Sequence, residues 1–530
     1  MTRTLGYSDI SIVNTFLYSG CVQRFCWCIP QEWTQEKPLV LVEVGEQVLF
    51  PSRHFDWRKG VFIRDEKLCL TPIERSGHRM LCDEDYVYVV GGYCPYYSEQ
   101  LIQEIWRFNI LTEEWELMDA EGDHFPPEMA SFSLCAEGSD AWKRAFLFGG
   151  TMVPFGDESS NRVTMLKKLS DAKFTWQPLA LVGEEPIQQY GSVSVFMRSI
   201  VHCRIDAQAI LMHNGVLYQI GGTTGHIYNM EVRSLTPVWT ETNKPCASNF
   251  PEPRLWKWTL LNKAENEWGR YRHEVELVGH EIIIIGGGNP HWASTLDTLL
   301  VFDICSNEFK KRPTIPDENY GYPPPRMCHA CVKYDNKIYI IGGCSEKKQV
   351  IGRRRALQEI PEVYDDIWEL DTTTWKWNKL GAKLHNKTCF HAAVVTKRPT
   401  LIVRLLKDVV KGASHAARQL GLTVETYNGG CVYVFGGVVD GAFTKRCSVM
   451  QRLWLRVPSL EYLTMRTVLS IYPELLHNRP LDSPEFTLST PATLIRSIFA
   501  LQQKREENIE DMSSNNYINL ASYVMRLVLG

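Results

Sequence analysis

PRMCHACVKYDNKIYIIGGC, residues 325–344, followed after a charged interruption by YDDIWELDTTTWKWNKL, residues 364–380, decides how the chain folds. Two period-2 apolar runs, Ala330 to Lys333 and Lys337 to Ile341, are joined by the turn-forming residues Tyr334-Asp335-Asn336 and read as a β-hairpin. Gly342-Gly343 ends the second strand. Asp366 to Asp371 supplies a third, and a Thr-rich turn leads to a fourth at Trp375-Lys376-Trp377. Four short antiparallel strands make a sheet too small to bury its own faces, so the unit needs neighbours.

The neighbours are present. Apolar runs ending in a glycine pair occur at Gly91-Gly92, Gly149-Gly150, Gly221-Gly222, Gly286-Gly287, Gly342-Gly343 and Gly436-Gly437. Aromatics trail most of them at strand-like distances: Trp106 and Trp115, Trp176, Phe302 and Phe309, Trp368 and Trp375, and Trp454. The pattern resembles a kelch repeat array, and six units imply a closed β-propeller. The expected fold is therefore all-β, a six-bladed kelch β-propeller, followed by a small C-terminal α-helical segment over 457–500.

The chain has 530 residues, whereas six units need roughly 300 at the ~50-residue kelch period. The propeller is placed at residues 54–456, with the excess in insertions near 197–210, 231–267, 345–362 and 397–426; residues 1–53 stay unassigned and 501–530 form a tail. In the last insertion, Leu401, Leu405 and Val409 with Leu406 and Val410 would make one apolar helix face. A basic amphipathic helix there suits a membrane or a partner; a surface excursion or translated non-coding sequence accounts for it as well. The sixth unit stops after three strands, and Trp57 to Ile63 is expected to supply the fourth and close the ring.

Net charge is -4 with pI near 6.4, so no global field draws the chain to nucleic acid or to an acidic membrane. The sixteen cysteines lie scattered, several inside expected strands, and Cys26 and Cys28 are too close and too isolated for a zinc site. No metal or cofactor is expected. Without a signal peptide or an apolar run of about 18 residues, the chain reads as cytoplasmic and nuclear, with reduced thiols. Nor is there a local signature of a nucleophile with its base, a carboxylate pair, a metal cluster or a phosphate loop, so no catalytic residue is assigned and the chain is not expected to be an enzyme.

A second pattern precedes the glycine pairs. Arg75-Ser-Gly-His78, Arg270-Tyr-Arg-His273 and Arg326-Met-Cys-His329 share Arg-x-x-His at the start of the innermost strand, with His391 in the equivalent place of the sixth unit. In a four-stranded blade the start of strand one lies beside the end of strand two. The arginines and the residues after each glycine pair (Tyr93, Thr151, Thr223, Cys344) should therefore ring one mouth of the channel. The histidines read as caps on a neighbouring blade's backbone. Converging guanidiniums are what a shallow pocket needs to grip a carboxylate in bidentate fashion, which makes Arg326, Arg272, Arg270, Arg75, Tyr93 and Thr223 the candidate binding residues, Arg326 and Arg272 ranking ahead of Arg75.

After the propeller, Leu460, Thr464, Val468, Ile471 and Leu475 form one stripe of a helix that starts at Pro458 or Ser459. Ser459-Leu460 with Thr464 and Val468 resembles the elongin-BC box, and Pro491, Leu494 and Ile498 resemble the cullin-2 box, except that Thr490 stands where that box has an aliphatic residue. Together with RSGHR (75–79), VVGGY (89–93), EIWRF (104–108), FGGTMVPFG (148–156), IGGTTGHIY (220–228), RYRHE (270–274), FGGVV (435–439) and VPSLEYL (457–463), these residues look like those of the kelch-repeat substrate receptors of cullin-2 elongin-BC ubiquitin ligases. The resemblance implies elongin C and elongin B bound through Leu460, Leu463, Thr464 and Val468, and cullin-2 bound through Pro491, Leu494 and Ile498. It also implies substrate C-terminal peptides at the mouth. The reading of the other class is a kelch scaffold that holds a signalling phosphatase or cytoskeletal proteins.

Overall fold

The computed structural model describes most of residues 71–455, apart from 198–214, 240–252, 397–429 and shorter gaps, together with three N-terminal strands, Leu41–Glu43, Arg53–Asp56 and Val61–Arg64. These residues belong to one compact unit, Leu39–Thr400 with Asn428–Arg456. It is a six-bladed propeller, and every described regular element is a strand. The helical boxes over 457–500, and so Leu460, Leu463, Thr464, Val468, Pro491, Leu494 and Ile498, lie outside the described residues.

Each glycine pair ends the second strand of a blade. Blade one comprises Arg79–Cys82, Tyr86–Val90, Ile105–Asn109 and Trp115–Leu117. Blade five is the quoted stretch itself: Ala330–Tyr334, Lys337–Ile341, Asp366–Asp371 and Lys376–Lys383. Blade four runs Glu274–Val278, Glu281–Ile285, Thr298–Asp303 and Glu308–Pro313. Blades two and three carry a fifth strand each, because Asp119–Glu121 and Ala180–Gly183, in the connections from the preceding blades, pair parallel to their outer strands.

Strand alternation supplies the packing. In blade one Val87 and Val89 face blade six while Tyr88 and Val90 face blade two. Six apolar cores result, one between each pair of neighbours, including the pair formed by blades six and one. No blade buries both faces alone, as the sequence required.

Two expectations are corrected. The outer strand of blade six is Leu41–Glu43, antiparallel to Met450–Trp454; Val61–Arg64 instead pairs with Arg53–Asp56 as a hairpin, so each satisfies the other's edge, and Trp57 lies outside the described residues. The segment 231–267 is not an insertion. It holds the third and fourth strands of blade three, Tyr228–Val238 and Leu255–Asn262, with Trp256 and Trp258 buried against Phe146 and Phe148. The insertion near 345–362 lies between the second and third strands of blade five and forms a strand pair of its own, Cys344–Ile351 with Leu357–Val363.

Candidate functional site

Two rings of backbone hydrogen bonds hold the mouth. The N–H of the second glycine of each pair donates to a carbonyl in the next blade: Gly92 to Met129 (2.8 Å), Gly150 to Gln189 (3.2 Å), Gly222 to Arg270 (3.1 Å), Gly287 to Arg326 (2.9 Å), Gly343 to Thr388 (2.8 Å) and Gly437 to Arg75 (2.8 Å). The last of these closes the circle. A side chain there would obstruct it: a Cβ on Gly342 would lie 2.6 Å from the Thr388 carbonyl and 3.0 Å from His391.

Two residues further on, a second ring forms a collar. Gly77 donates to Phe390 (3.0 Å), Ser131 to Gly77 (2.9 Å), Gly191 to Ser131 (2.8 Å), Arg272 to Gly191 (2.9 Å), Cys328 to Arg272 (3.0 Å) and Phe390 to Cys328 (2.9 Å). All six residues are left-handed, with φ between 55° and 68°. Four of them are not glycine, a conformation that L-residues hold only when their surroundings impose it. Their backbones are spent on closure, and their side chains are set around the axis.

The Arg-x-x-His pattern splits into two functions. The first arginine is a brace within its own blade. Arg75, Arg270 and Arg326 each donate through Nη1 to the carbonyl of the first glycine, Gly91, Gly286 and Gly342, at 3.2, 3.1 and 2.9 Å. Arg326 also grips both oxygens of Asp366 (2.7 and 3.2 Å), and Arg75 reaches Glu104 at 3.1 Å. The same carboxylates accept the indole N–H of Trp368 (2.8 Å) and Trp106 (2.7 Å). Burial pushes the Asp366 carboxyl up, but Arg326 and Trp368 outweigh it and hold it below its ordinary value. Arg75 and Arg326 are fully buried with their donors committed, so the ranking that put Arg326 first for an incoming carboxylate is corrected: a guanidinium already paired bidentately and buried has no fork to offer. Among the described residues no carboxylate forms an ion pair with Arg270, although Glu267 is near enough to raise its pKa against the effect of burial. The Arg270 guanidinium lies over the Trp292 ring at 5.2 Å, and burial lowers its pKa to about 10.

The histidines are interblade wedges. His78, His273, His329 and His391 place Cε1 where a Cβ on the first glycine of the preceding blade would sit, at Gly436, Gly221, Gly286 and Gly342. Burial holds all four neutral, with His273 lowered to about 3 and His391 to about 4. Blade two has Phe132 in the same place, also fully buried, as a space-filling role permits.

Arg272 differs from these arginines. From its collar position in blade four, its guanidinium hydrogen-bonds Ser131 Oγ of blade two, lies 4.8 Å from the Phe390 ring of blade six, and stands 3.3 Å from where a Cβ on Gly77 of blade one would be. Four blades thus meet at one cation over the axis. Among the described residues no carboxylate forms an ion pair with it, its Nε has no hydrogen-bond partner, and burial lowers its pKa. Below it, Arg79 of blade one donates to Glu274 of blade four at 2.7 Å across the channel, beside a cavity of about 160 Å³ lined in part by Ser133, Ser194 and Cys331. The mouth ends at Arg272.

Above the collar the loops interlock. Tyr96 donates to the Thr444 carbonyl (3.2 Å), Tyr93 meets Phe155 edge-on at 4.8 Å, Tyr228 meets Tyr271 at 5.6 Å, and Lys347 N–H bonds Pro290 (3.1 Å). Tyr93 forms part of the wall and carries the Arg446 guanidinium 4.8 Å over its ring. Thr223 is buried, its hydroxyl accepting from Gly225 N–H (3.0 Å) and donating to Ile227 (2.9 Å), so it shapes a loop instead of facing a ligand. Exposed apolar groups crown the rim: Tyr96, Phe155, Ile227 and Trp268, the last 69% exposed. The sequence reading missed Arg446, Phe155 and Trp268; all lie outside the repeat positions and left no periodic signal. The described residues thus set exposed apolar and aromatic groups on the rim above a buried guanidinium that has no ion-pair partner among them.

Comparison with known proteins agrees with the architecture. The family model described as the KLHDC2/KLHL20/DRC7 Kelch-repeats domain matches residues 252–408, and the Kelch motif matches residues 74–118. Kelch domain-containing protein 10 of Rattus norvegicus is 31% identical over 420 residues, 76% of this chain and 81% of the relative. The Homo sapiens protein of that name is 30% identical over 420 residues, 76% and 75% of the two chains. The Drosophila melanogaster homolog is 27% identical over 421 residues, 73% of this chain and 56% of its own length. With its six kelch blades, its glycine pairs and a relative matched over four-fifths of its length, the chain belongs to the kelch domain-containing protein 10 family.

Proposed function

We propose that this kelch propeller is a protein-binding module that receives the C-terminal carboxylate of a substrate at Arg272. The observation that carries the reading is the buried guanidinium over the axis, without a carboxylate partner among the described residues, at the bottom of a cup whose walls are aromatic. A cation in that position gains a charge-assisted, largely desolvated partner when an anion arrives. Because Arg272 and the Arg79–Glu274 pair obstruct the axis, a chain end fits and a through-running segment does not. Phe155, Trp268 and Ile227 offer apolar surface to the residues that precede the terminus.

The second half of the proposal rests on sequence. Leu460, Leu463, Thr464 and Val468 would seat elongin C, with elongin B, and Pro491, Leu494 and Ile498 would seat cullin-2, making the chain the non-catalytic substrate-recognition subunit of a ubiquitin ligase in cytoplasm and nucleus. Bound substrates would then be ubiquitinated and degraded. The alternative scaffold for a signalling phosphatase or cytoskeletal protein keeps the cup and dispenses with the boxes.

Two measurements separate these readings. Elongins B and C should co-purify with the full chain, and not with one lacking residues 457–500 or carrying Leu460→Asp, since a Leu in an apolar pocket contributes roughly 2 to 3 kcal/mol by burial alone. Undiminished elongin recovery from Leu460→Asp removes the box. Titration with free and C-terminally amidated peptides tests the cup: a loss of about 2 to 4 kcal/mol on amidation is expected, and equal affinities would favour the scaffold.

A further inference from the structure

Blade four carries a second cluster of chemistry at the end away from the mouth. Its first two strands turn through Gly279-His280, its last two through Ile304 to Asn307, and Ile304 N–H bonds the His280 carbonyl at 3.0 Å, locking the two turns together. Across that contact the His280 imidazole, the Asp303 carboxylate and the Cys305 thiol bring one ligand atom each within 4.8 Å of the others. Asp303 Oδ1 accepts the backbone N–H groups of Cys305 (2.9 Å) and Ser306 (3.2 Å). Its other oxygen, Oδ2, lies 3.9 Å from His280 Nε2.

We propose that His280, Asp303 and Cys305 form a binding site for a divalent transition ion of borderline softness, Zn²⁺ being the best match. Nitrogen, oxygen and sulfur donors at about 2.0 to 2.3 Å suit a tetrahedral zinc ion with its fourth position left to water or to a donor from a partner. Tetrahedral ligands at those lengths stand roughly 3.3 Å apart. Rotation of the half-exposed His280 side chain supplies that contraction from 3.9 Å. The carboxylate needs no reorientation, being already held by two backbone donors. At present the Lys310 ammonium occupies Oδ2; it is a half-exposed place-holder that an arriving dication displaces, while the Cys305 thiol gives its proton to solvent on ligation.

The test uses the full chain, reduced and freed of metal by chelator dialysis. Co²⁺ is titrated by absorption for a thiolate-to-cobalt band, and Zn²⁺ by competition with a chromophoric chelator. Because the chain has 16 cysteines, each result is read as a difference from variants. Cys305→Ser should abolish one equivalent of the thiolate band, and the exposed His280→Ala should weaken that equivalent by about tenfold or more. Lys310→Met should tighten it, since the competing cation is gone. Equal band intensity and affinity in wild type, Cys305→Ser and His280→Ala would overturn the site, as would weaker binding in Lys310→Met.

Discussion

Blades four and five enter their innermost strands through the same Arg-x-x-His frame, Arg270-Tyr-Arg-His273 and Arg326-Met-Cys-His329, and put it to different ends. In blade five the first arginine finds Asp366 and becomes part of a closed electrostatic unit with Trp368, while the collar residue is Cys328, a small side chain in a buried apolar cluster. In blade four the first arginine forms no ion pair among the described residues and rests on Trp292, and the collar residue is Arg272, aimed across the axis. One blade uses its cation to hold itself together. The other carries two cations that form no ion pair among the described residues, Glu267 and Glu274 acting on them only from a distance, and burying them costs stability unless a ligand offsets it. Buried charge without an ion-pair partner is the ground on which the proposed ligand is placed at Arg272.

The largest effect should come from breaking the closed unit. Removing one member of a buried pair leaves the other charge unpaired, so Arg326→Ala should destabilise the propeller by about 3 to 5 kcal/mol in chemical denaturation. Arg270→Ala forfeits one hydrogen bond to Gly286 and removes a buried charge without an ion-pair partner among the described residues, so its cost should be about 1 kcal/mol or less. If the two substitutions cost the same, the contrast between the blades is not electrostatic.

Arg272→Ala sharpens the same contrast in the opposite sense. It should lower affinity for a free C-terminal peptide by about 2 to 4 kcal/mol and leave unfolding stability unchanged or improved. Arg272→Lys should recover little, because it keeps the charge and loses the planar fork. Amidating the peptide and mutating Arg272 should not add, as both remove one contact. An additive loss would place the carboxylate elsewhere in the cup.

The histidine wedges give an acid dependence. The ordinary imidazole value is 6.5, and burial lowers His391 to about 4 and His273 to about 3. Above about pH 6.5 neither the folded nor the unfolded chain protonates these rings, and their contribution is constant. Between that value and about pH 4 the unfolded chain takes up protons that the folded chain refuses, so stability falls as pH falls. His391→Phe, which copies the Phe132 wedge of blade two, should flatten this slope, retaining on the order of 2 kcal/mol more stability than wild type by pH 4.5 relative to pH 7.5. An unchanged slope would mean that the ring is protonated in the fold.

What was legible in the chain was whatever repeats. The six glycine pairs gave the blades, because each serves the same bond to the next blade, and a bond made six times leaves six copies of its signature. The trailing aromatics behaved likewise, as Phe302 and Phe309 in blade four, except in blade three, where the length of chain between Val238 and Leu255 moves Trp256 and Trp258 beyond the usual spacing and made two strands look like an insertion. The closing strand at Leu41 was not readable, since the outer edge of a blade accepts any short extended segment and places no demand on residue type. The site was half readable. The Arg-x-x-His motif lies where each innermost strand begins, but a sequence cannot tell a guanidinium that will pair with Asp366 forty residues downstream from one that forms no ion pair among the described residues. Rim residues such as Trp268 and Arg446 occur once each, so periodicity has no hold on them.

The smallest expected effect is also the most direct test of the comparison, because it turns one blade into the other. Counting along the ladder from Ile284–Leu300 sets Thr298 opposite Gly286, where blade five, counted from Ile341–Ile367, sets Asp366 opposite Gly342. Thr298 is exposed, so Thr298→Asp adds a carboxylate at modest desolvation cost beside an arginine that forms no ion pair among the described residues. Blade four has Leu300 where blade five has Trp368, so the new carboxylate gains no indole donor and the pair should be weaker than the original. A stabilisation of about 1 kcal/mol is expected in urea denaturation, and it should disappear when Arg270→Ala is added, since the gain belongs to that pair alone. Affinity for a C-terminal peptide should not move, because Arg270 braces its own blade and Arg272 serves the cup. A loss of affinity in Thr298→Asp with folding stability raised would show that Arg270 and Arg272 grip the ligand together, and the division of labour between them would fall.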